Sequence, residues 1–318
     1  MSDVIPAIIL EKRKLARSVT RFVFGHAAGL PLPSFTPGSH IRVFTPGGHT
    51  RSYSLTDSPG NGFSYAIAVE HQPDGRGGSH SLIADSAPGD MVQISLPANA
   101  FELVEADDYL LIAGGIGITP IRAMYKAISE NPKARVCFIY LTRNIDGAAF
   151  AGEVQSISRS IIHESSSDGR LDLWPFLKDP GRTHLYCCGS SALMEQVRML
   201  TMHWNPRHVH FEDFNRAASS AVELPFTVTW APTGQHITVS RTETILDALS
   251  EAGIRRPSSC LSGTCGTCIL RVNEGTADHR DTWLNDSMRN DYILPCVSRA
   301  MTDSIGLAPV HLESDGLA

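Results

Sequence analysis

The cysteines constrain this chain more than any other feature. Four residues separate Cys260 from Cys265, two separate Cys265 from Cys268, and Cys296 stands far downstream. A [2Fe–2S] cluster needs four thiolates, two on each iron, and this spacing is the plant-type arrangement. Three sulfurs surround one small object only if the loop curls tightly, which Gly263 and Gly266 allow because they lack a Cβ. The small Ser262, Thr264 and Thr267 leave backbone N–H groups free to point at the sulfurs. A zinc site or a disulfide knot is the competing reading. Structural zinc usually pairs its cysteines as two C-x-x-C-like units, and only Cys265–Cys268 is such a unit, so the spacing favours the cluster.

Cys137, Cys187 and Cys188 remain, and three thiols left over suit a reducing compartment better than an oxidising one. No apolar run approaches the ~18 residues of a membrane span, and the apolar patch Val4–Leu10 lacks a basic stretch before it. The expectation is a soluble, cytoplasmic protein. A net charge of −6 speaks against nucleic acid or an anionic membrane as partner. The length of 318 residues alone fits about two domains, but the patterns divide it into three.

From Ile5 to about Phe101, short alternating runs (Thr20–Phe24, His40–Phe44, Ser64–Val69, Met91–Leu96) are separated by Gly/Pro turns, as in a small sandwich or barrel. Within it, Arg51-Ser52-Tyr53-Ser54 puts Arg51 and Tyr53 on one side of a strand and Ser52 and Ser54 on the other. An arginine for a phosphate, a ring to stack and a hydroxyl to hydrogen-bond suit one planar, phosphorylated ligand; an edge strand with a solvated arginine is the plain alternative. Gly75-Arg76-Gly77-Gly78-Ser79 then leads into a short helical pattern, Ser79–Ala84, a turn able to receive a phosphate or simply a loop.

After a polar linker at Glu105–Asp108, strand and helix patterns alternate as in a doubly wound α/β sheet. Tyr109–Ala113 reads as a buried strand, followed by Gly114-Gly115-Ile116-Gly117-Ile118-Thr119-Pro120, with Thr119 as N-cap and Pro120 as first helical residue. A glycine turn from strand to helix accepts a pyrophosphate, although this one is not the Rossmann fingerprint. Val136–Leu141, His184–Cys187 and His208–Glu212 read as further strands, with helices over part of Asp146–Ser158 and over Ser191–His203. Thr142 and Arg143 end a strand where an adenosine ribose lies; Arg143 either meets a 2′-phosphate or stacks on adenine. Cys187 and Cys188 read in isolation as buried thiols at a tight turn.

The small, polar stretch 216–223 reads as a linker. Phe226–Trp230 and His236–Val239 form a hairpin pattern, Thr244–Ala252 a short helix ended by Gly253, and Ile269–Val272 a strand leaving the cysteine loop. The tail after Leu307 reads as disordered or loosely docked.

Arg51-x-Tyr53-Ser54, Gly75-Arg76-Gly77-Gly78-Ser79, Leu96-Pro97-x-Asn99-x-Phe101 and Gly275–Asp281 together resemble the phthalate dioxygenase reductase family, the FMN branch of the ferredoxin–NADP reductase superfamily. The resemblance covers nearly the whole chain in the order flavin, nicotinamide, cluster. It implies an antiparallel flavin-binding β-barrel (1–105), a doubly wound α/β nucleotide-binding domain (106–215) and a C-terminal β-grasp plant-type ferredoxin domain (224–318). It implies that Arg51, Gly77, Gly78 and Ser79 hold the FMN phosphate and that Tyr53 and Ser54 sit at the isoalloxazine. Gly114, Gly115, Gly117, Thr119, Pro120, Thr142 and Arg143 would bind NADH, NADPH being possible, with Cys188 and Gly189 beside the nicotinamide. Glu212 either faces the nicotinamide or is a solvated glutamate, and Ser54, Cys188 and Glu212 form the candidate catalytic set. Three departures stand out: Ala98 and Ser190 replace an arginine and a proline, and Leu261 an acidic residue.

The implied activity is that of an NADH-dependent reductase component, passing electrons through FMN and the cluster to a Rieske-type iron oxygenase acting on an aromatic compound. A cytochrome P450 or other haem monooxygenase is the alternative recipient, and a cluster-based redox sensor is a third reading. One chain carries every redox centre, so a monomer is expected.

Overall fold

In the first part of the chain, burial alternates along the start of the first strand, Val4–Ile9, as a half-buried strand requires. The structure is a computed structural model describing residues 4–58, 62–73, 75, 77–214, 224–241, 243–258, 261, 263–281 and 283–310. Two compact units divide it, Met1–Phe214 and Asn215–Ala318.

In the first unit, β1 (Val4–Ala16), β2 (Val19–His26), β3 (Ser39–Phe44), β4 (Thr50–Ser54), β5 (Tyr65–Glu70) and β6 (Met91–Ser95) form an antiparallel sheet in the order β4-β3-β6-β1-β2-β5. The short β7 (Ala98–Asn99) pairs with β3. A bridge between Leu55 and Ile67 joins the two ends of that order and closes the barrel. Phe22, Phe24, Ile41, Val43, Tyr65 and Ile67 fill it, with Leu82 of helix α1 (Gly78–Ala84).

The other lobe is parallel. β8 (Asp108–Gly114), β9 (Arg135–Thr142), β10 (Ser160–Glu164), β11 (His184–Cys188) and β12 (Val209–Glu212) run in the order β10-β9-β8-β11-β12. Sequence order reverses between β8 and β11, and ligands of such sheets bind at the strands' carboxyl ends there. Helices α2 (Ile118–Ser129) and α3 (Ala151–Gln155) cover one face and α6 (Ser191–Leu200) the other. The short α4 (Ser165–Asp168) and α5 (Trp174–Leu177) connect β10 to β11.

Three expectations change here. Strand β10 escaped the periodicity because every residue of this edge strand is half-buried, giving neither alternation nor an apolar run. Thr119 does not cap α2: a 3-10 turn, Gly115–Gly117, runs into the helix, Gly117 is the N-cap, and the buried Thr119 hydroxyl donates to the Ile116 carbonyl at 3.0 Å. Pro120 is consequently the third helical residue, where its missing N–H is still no loss. Helix α6 stops at Leu200 rather than His203, as the Thr201 hydroxyl donates to the Val197 carbonyl at 2.7 Å.

The two lobes share apolar contacts. Val19, Ala68 and Phe101 from the barrel lie in one buried cluster with Ile121 and Met124 of α2. The connecting segment is pinned: the Val104 N–H donates to the Tyr186 hydroxyl and the Ala106 N–H to the Tyr109 hydroxyl, each at 2.7 Å.

In the second unit, β13 (Phe226–Trp230), β14 (Gln235–Val239), β15 (Leu270–Glu274), β17 (Tyr292–Ile293) and β19 (Ser304–Pro309) form a sheet in the order β14-β13-β19-β15-β17. The short β16 (Ala277–Asp278) and β18 (Arg299–Ala300) pair separately. Helix α7 (Ile245–Glu251) packs Ile245, Ala248 and Leu249 with Phe226, Val228 and Trp230, the β-grasp arrangement. Thr244 and Asp247 form a capping box at its start. Contrary to expectation, the chain beyond Leu307 is not all loose: β19 continues to Pro309, pairing with both β13 and β15. Residues 311–318, the linker 216–223, Arg76, Cys260 and Ser262 lie outside the described residues. No helix among the described residues is long and apolar enough to cross a membrane.

Candidate redox sites

Hairpin pairing of β3 with β4 places Arg51, Tyr53 and Ser54 in the expected alternation. The glycine turn reaches Arg51 from the other side: a Cβ on Gly78 would lie 2.6 Å from the Arg51 Cγ and 2.7 Å from its Nε. Gly77, at φ +75, supplies the left-handed turn that allows this approach. Ser79 is close by but engaged, its hydroxyl accepting the Gln72 N–H at 3.1 Å. Tyr53 is half-buried with its hydroxyl out of solvent, and that hydroxyl meets no hydrogen-bond partner among the described residues. Burial, partly opposed by Arg51, pushes that phenol up to about 12, so it stays a donor. A guanidinium beside a glycine cradle and a buried phenol awaiting an acceptor fit a flavin with a terminal phosphate.

At the carboxyl end of the parallel sheet, two backbones touch. A Cβ on Gly117 would collide with the Cys188 carbonyl, and one on Gly114 would lie 2.7 Å from the Leu193 Cδ2 and 3.3 Å from the Gly189 Cα. These two glycines are therefore required by packing between the turns after β8 and β11. Gly115 differs, with φ +54 and open space where a side chain would be, so it is the glycine free to approach a ligand. Ser190, in place of the family's proline, caps α6 by accepting the Leu193 N–H at 3.3 Å.

Cys188 and Glu212 are register partners on β11 and β12. The Cys188 thiol is held well above its ordinary range by burial, then by the charges of Glu212, Cys187 and Asp213, so it is a neutral group and no nucleophile. The Ser54 hydroxyl and a Glu212 carboxylate oxygen are 3.5 Å apart. The barrel strand and the end of the parallel sheet thus meet at the three residues expected to be catalytic. Thr142 ends β9 and Arg143 follows it, exposed.

In the second unit, the buried Cys268 and Cys296 have sulfurs 3.3 Å apart, well beyond the ~2.05 Å of a disulfide. Cys265 is half-buried, and its sulfur lies 3.2 Å from the Thr267 hydroxyl. Leu246, Ile269, Leu284, Leu294 and Val297 pack around the buried pair. Gly263 and Gly266 have φ +75 and +73, and a Cβ on Gly266 would enter the Trp283 indole. Cys268 on its glycine-curled loop and Cys296 from far downstream are brought together, and Cys265 shares the loop of Cys268; thiols so placed fit a two-iron cluster, and the fourth ligand expected, Cys260, is not described.

Sequence reasoning missed the parts that hold this loop. The fully buried Asp281 carboxylate accepts the Leu284 N–H at 2.8 Å and the Ser298 hydroxyl at 3.4 Å, steadying the turn that carries Trp283. Asp281 belongs to the Gly275–Asp281 motif, which thereby acquires a structural reason.

A closed barrel, a parallel sheet whose carboxyl end meets it at Glu212 and a cysteine-bearing β-grasp unit define the class: a modular iron–sulfur flavoprotein reductase. The 2Fe-2S iron-sulfur cluster binding domain family matches residues 228–301. The chain is 39% identical over 307 residues to a phthalate 4,5-dioxygenase oxygenase reductase subunit of Pseudomonas putida, covering 94% of this chain and 95% of that one. It is 40% identical over 307 residues to phthalate dioxygenase reductase of Burkholderia cepacia, again covering 94% and 95%. A solved phthalate dioxygenase reductase, described as a modular structure for electron transfer from pyridine nucleotides to [2Fe–2S], matches with a TM-score of 0.86 at 38% identity, covering 96% and 98%. The chain belongs to the phthalate dioxygenase reductase family and is an oxidoreductase.

Proposed function

We propose that this protein is the NADH-dependent reductase component of a Rieske-type oxygenase system acting on an aromatic compound. It would work as a cytoplasmic monomer with an FMN domain (1–105), a nucleotide domain (106–215) and a ferredoxin domain (224–318). The observation that carries this reading is the meeting of Ser54, on the barrel, with Glu212, the register partner of Cys188 at the end of the parallel sheet.

FMN, when bound, would supply a hydride acceptor able to give up electrons singly, and the cluster would supply a one-electron carrier. Arg51 pairs with the flavin phosphate beside Gly77, Gly78 and Ser79, and Tyr53 donates its hydrogen bond to the flavin. Ser54 offers its hydroxyl at the flavin edge, where Glu212 orients it. Cys188 is a neutral, apolar group beside the nicotinamide, and Gly189 lets its turn close on Gly114 and Leu193. Gly115 gives the pyrophosphate room, between Gly114 and Gly117, with Thr119 and Pro120 in the first turn of the helix behind. Thr142 and Arg143 flank the adenosine. These residues contribute proximity and orientation, and no acid–base pair is needed. Cys265, Cys268 and Cys296, with Cys260, ligate the cluster.

Anaerobic titration with NADH, followed by absorbance and EPR, tests the route. Bleaching of a flavin band together with a rhombic signal of a reduced two-iron cluster is expected. Flavin bleaching without an iron signal would remove the cluster from the route, and no bleaching would remove the flavin.

A further inference from the structure

The loop from the end of β5 to the start of α1 is closed at its neck. His71, directly after β5, donates its N–H to the Ser18 carbonyl at 2.8 Å, and the Gln72 N–H donates to the Ser79 hydroxyl at 3.1 Å. Helix α1 is anchored further along. Leu82 is fully buried in the barrel, and the Lys12 ammonium donates to the Ile83 and Ser86 carbonyls at 2.6 Å each. Two anchored segments therefore hold His71 and His80 against each other at the surface.

His71 Nε2 and His80 Nδ1 are 3.2 Å apart, and the two rings are tilted by 47° with their centres 5.5 Å apart. Zinc-class ions bind imidazole nitrogens at about 2.0–2.1 Å, which sets two such nitrogens about 3.3 Å apart at a tetrahedral angle. The pair has that spacing before any ion arrives. As a hydrogen bond it keeps one proton between the two nitrogens. An ion takes that place, and the ring that held the proton carries it on its outer nitrogen instead, so both ligands are neutral imidazoles. Among the described residues no third histidine, cysteine or carboxylate completes the set, so water fills the remaining positions.

We propose that His71 and His80 form a site for a zinc-class divalent ion, which clamps the turn of Gly77, Gly78 and Ser79 between them. Imidazole ligands select zinc, copper or nickel over magnesium or calcium. The effect of the clamp on flavin rests on that turn being the phosphate cradle; the ion site does not.

The cluster- and flavin-loaded protein is titrated with Ni2+, as an imidazole-seeking probe, by calorimetry in phosphate-free buffer. One site with a micromolar Kd is expected, and none with Mg2+. A second ligand held in place strengthens binding by about 10²–10⁴-fold, so His71→Gln and His80→Ala should each weaken it about a hundredfold or more. Binding that survives in both variants, as it would at the His184–His210 pair, or that releases iron from the cysteines, would overturn the assignment. Flavin release after dilution is then followed by fluorescence. Ni2+ should slow it about threefold or more in the parent and leave both variants unchanged. Unaltered release in a parent that binds Ni2+ would overturn the clamp. If no flavin is held at all, the cradle reading fails, while the calorimetry still decides the ion site.

Discussion

At the scale of single residues, the glycines separate into those required by packing and those required only by a turn. Gly266 is of the first kind, because its Cβ would enter the Trp283 indole and its φ is +73. Gly234, in the hairpin between β13 and β14, has φ +70 with nothing within 4 Å of a Cβ. Gly234→Ala is expected to cost only the left-handed backbone penalty of about 1–2 kcal/mol and to keep a full iron content. Gly266→Ala pays that penalty and must also displace the indole from the cysteine loop. Its iron and sulfide content per chain should fall by at least half, read by colorimetric assay and visible absorbance. Equal content in the two variants would mean that Trp283 does not constrain the loop. The tight cysteine loop was legible from spacing and small residues. Trp283 was not, because nothing local says that an indole 17 positions after Gly266 folds back onto it.

At the scale of elements, one arginine ties the segment that follows β4 to α2. Arg122 of α2 donates to the Thr56 carbonyl and to Asp57 at 2.7 Å each, and to both oxygens of Glu153 at 2.7 and 3.0 Å. Its guanidinium also lies 4.3 Å from the centre of the Phe150 ring, and Phe150 holds a left-handed backbone at φ +61. Lys126 joins at 2.6 Å from Asp57. Burial alone would raise the Asp57 carboxyl, but hydrogen bonds from Lys126 and Arg122 outweigh it and bring it to about 2. Thr56 follows Ser54 by two residues and Arg122 follows Thr119 by three, so this cluster joins the elements bearing the two halves of the site. Breaking a buried pair on one side typically costs about 3–5 kcal/mol. Arg122→Ala should therefore lower the stability of the first unit by roughly 3 kcal/mol in urea unfolding. A loss under about 1 kcal/mol, the worth of an exposed ion pair, would show that solvent screens the cluster. A helical pattern with Ile121, Met124 and Ile128 inward announced α2, but not that its arginine would be buried too.

At the scale of the whole molecule, acid response depends on groups that only the fold brings together. His184, His208 and His210 form a column of imidazoles on adjoining strand ends, with His210 stacked on Tyr186 at 4.3 Å. Burial, then the neighbouring His184 and His208, lower His210 to about 4. An unfolded imidazole takes its proton near 6.5. Between those values the unfolded chain binds the extra proton, so this group withdraws stability as pH falls from about 6.5 to about 4. His210→Phe keeps a ring for the stack and removes the titration. Urea unfolding at pH 7, 5.5 and 4.5 should then show a shallower loss than in the parent; parallel slopes would exclude His210 as a source of acid sensitivity. What the sequence alone determined was the order of the three modules, the cysteine set, the barrel's alternating strands and the glycine turn after β8. The strands, the glycine turn and the three-cysteine loop rest on short-range periodicity or spacing and so are written locally; the module order and the place of Cys296 were read from the family resemblance. The tertiary structure alone decided which glycines are packing requirements, where α2 begins, that β10 exists, and that Ser54 meets Glu212 across 158 residues of chain. Those depend on which strand lies beside which, and a sheet ordered β10-β9-β8-β11-β12 places in contact residues that no local pattern relates.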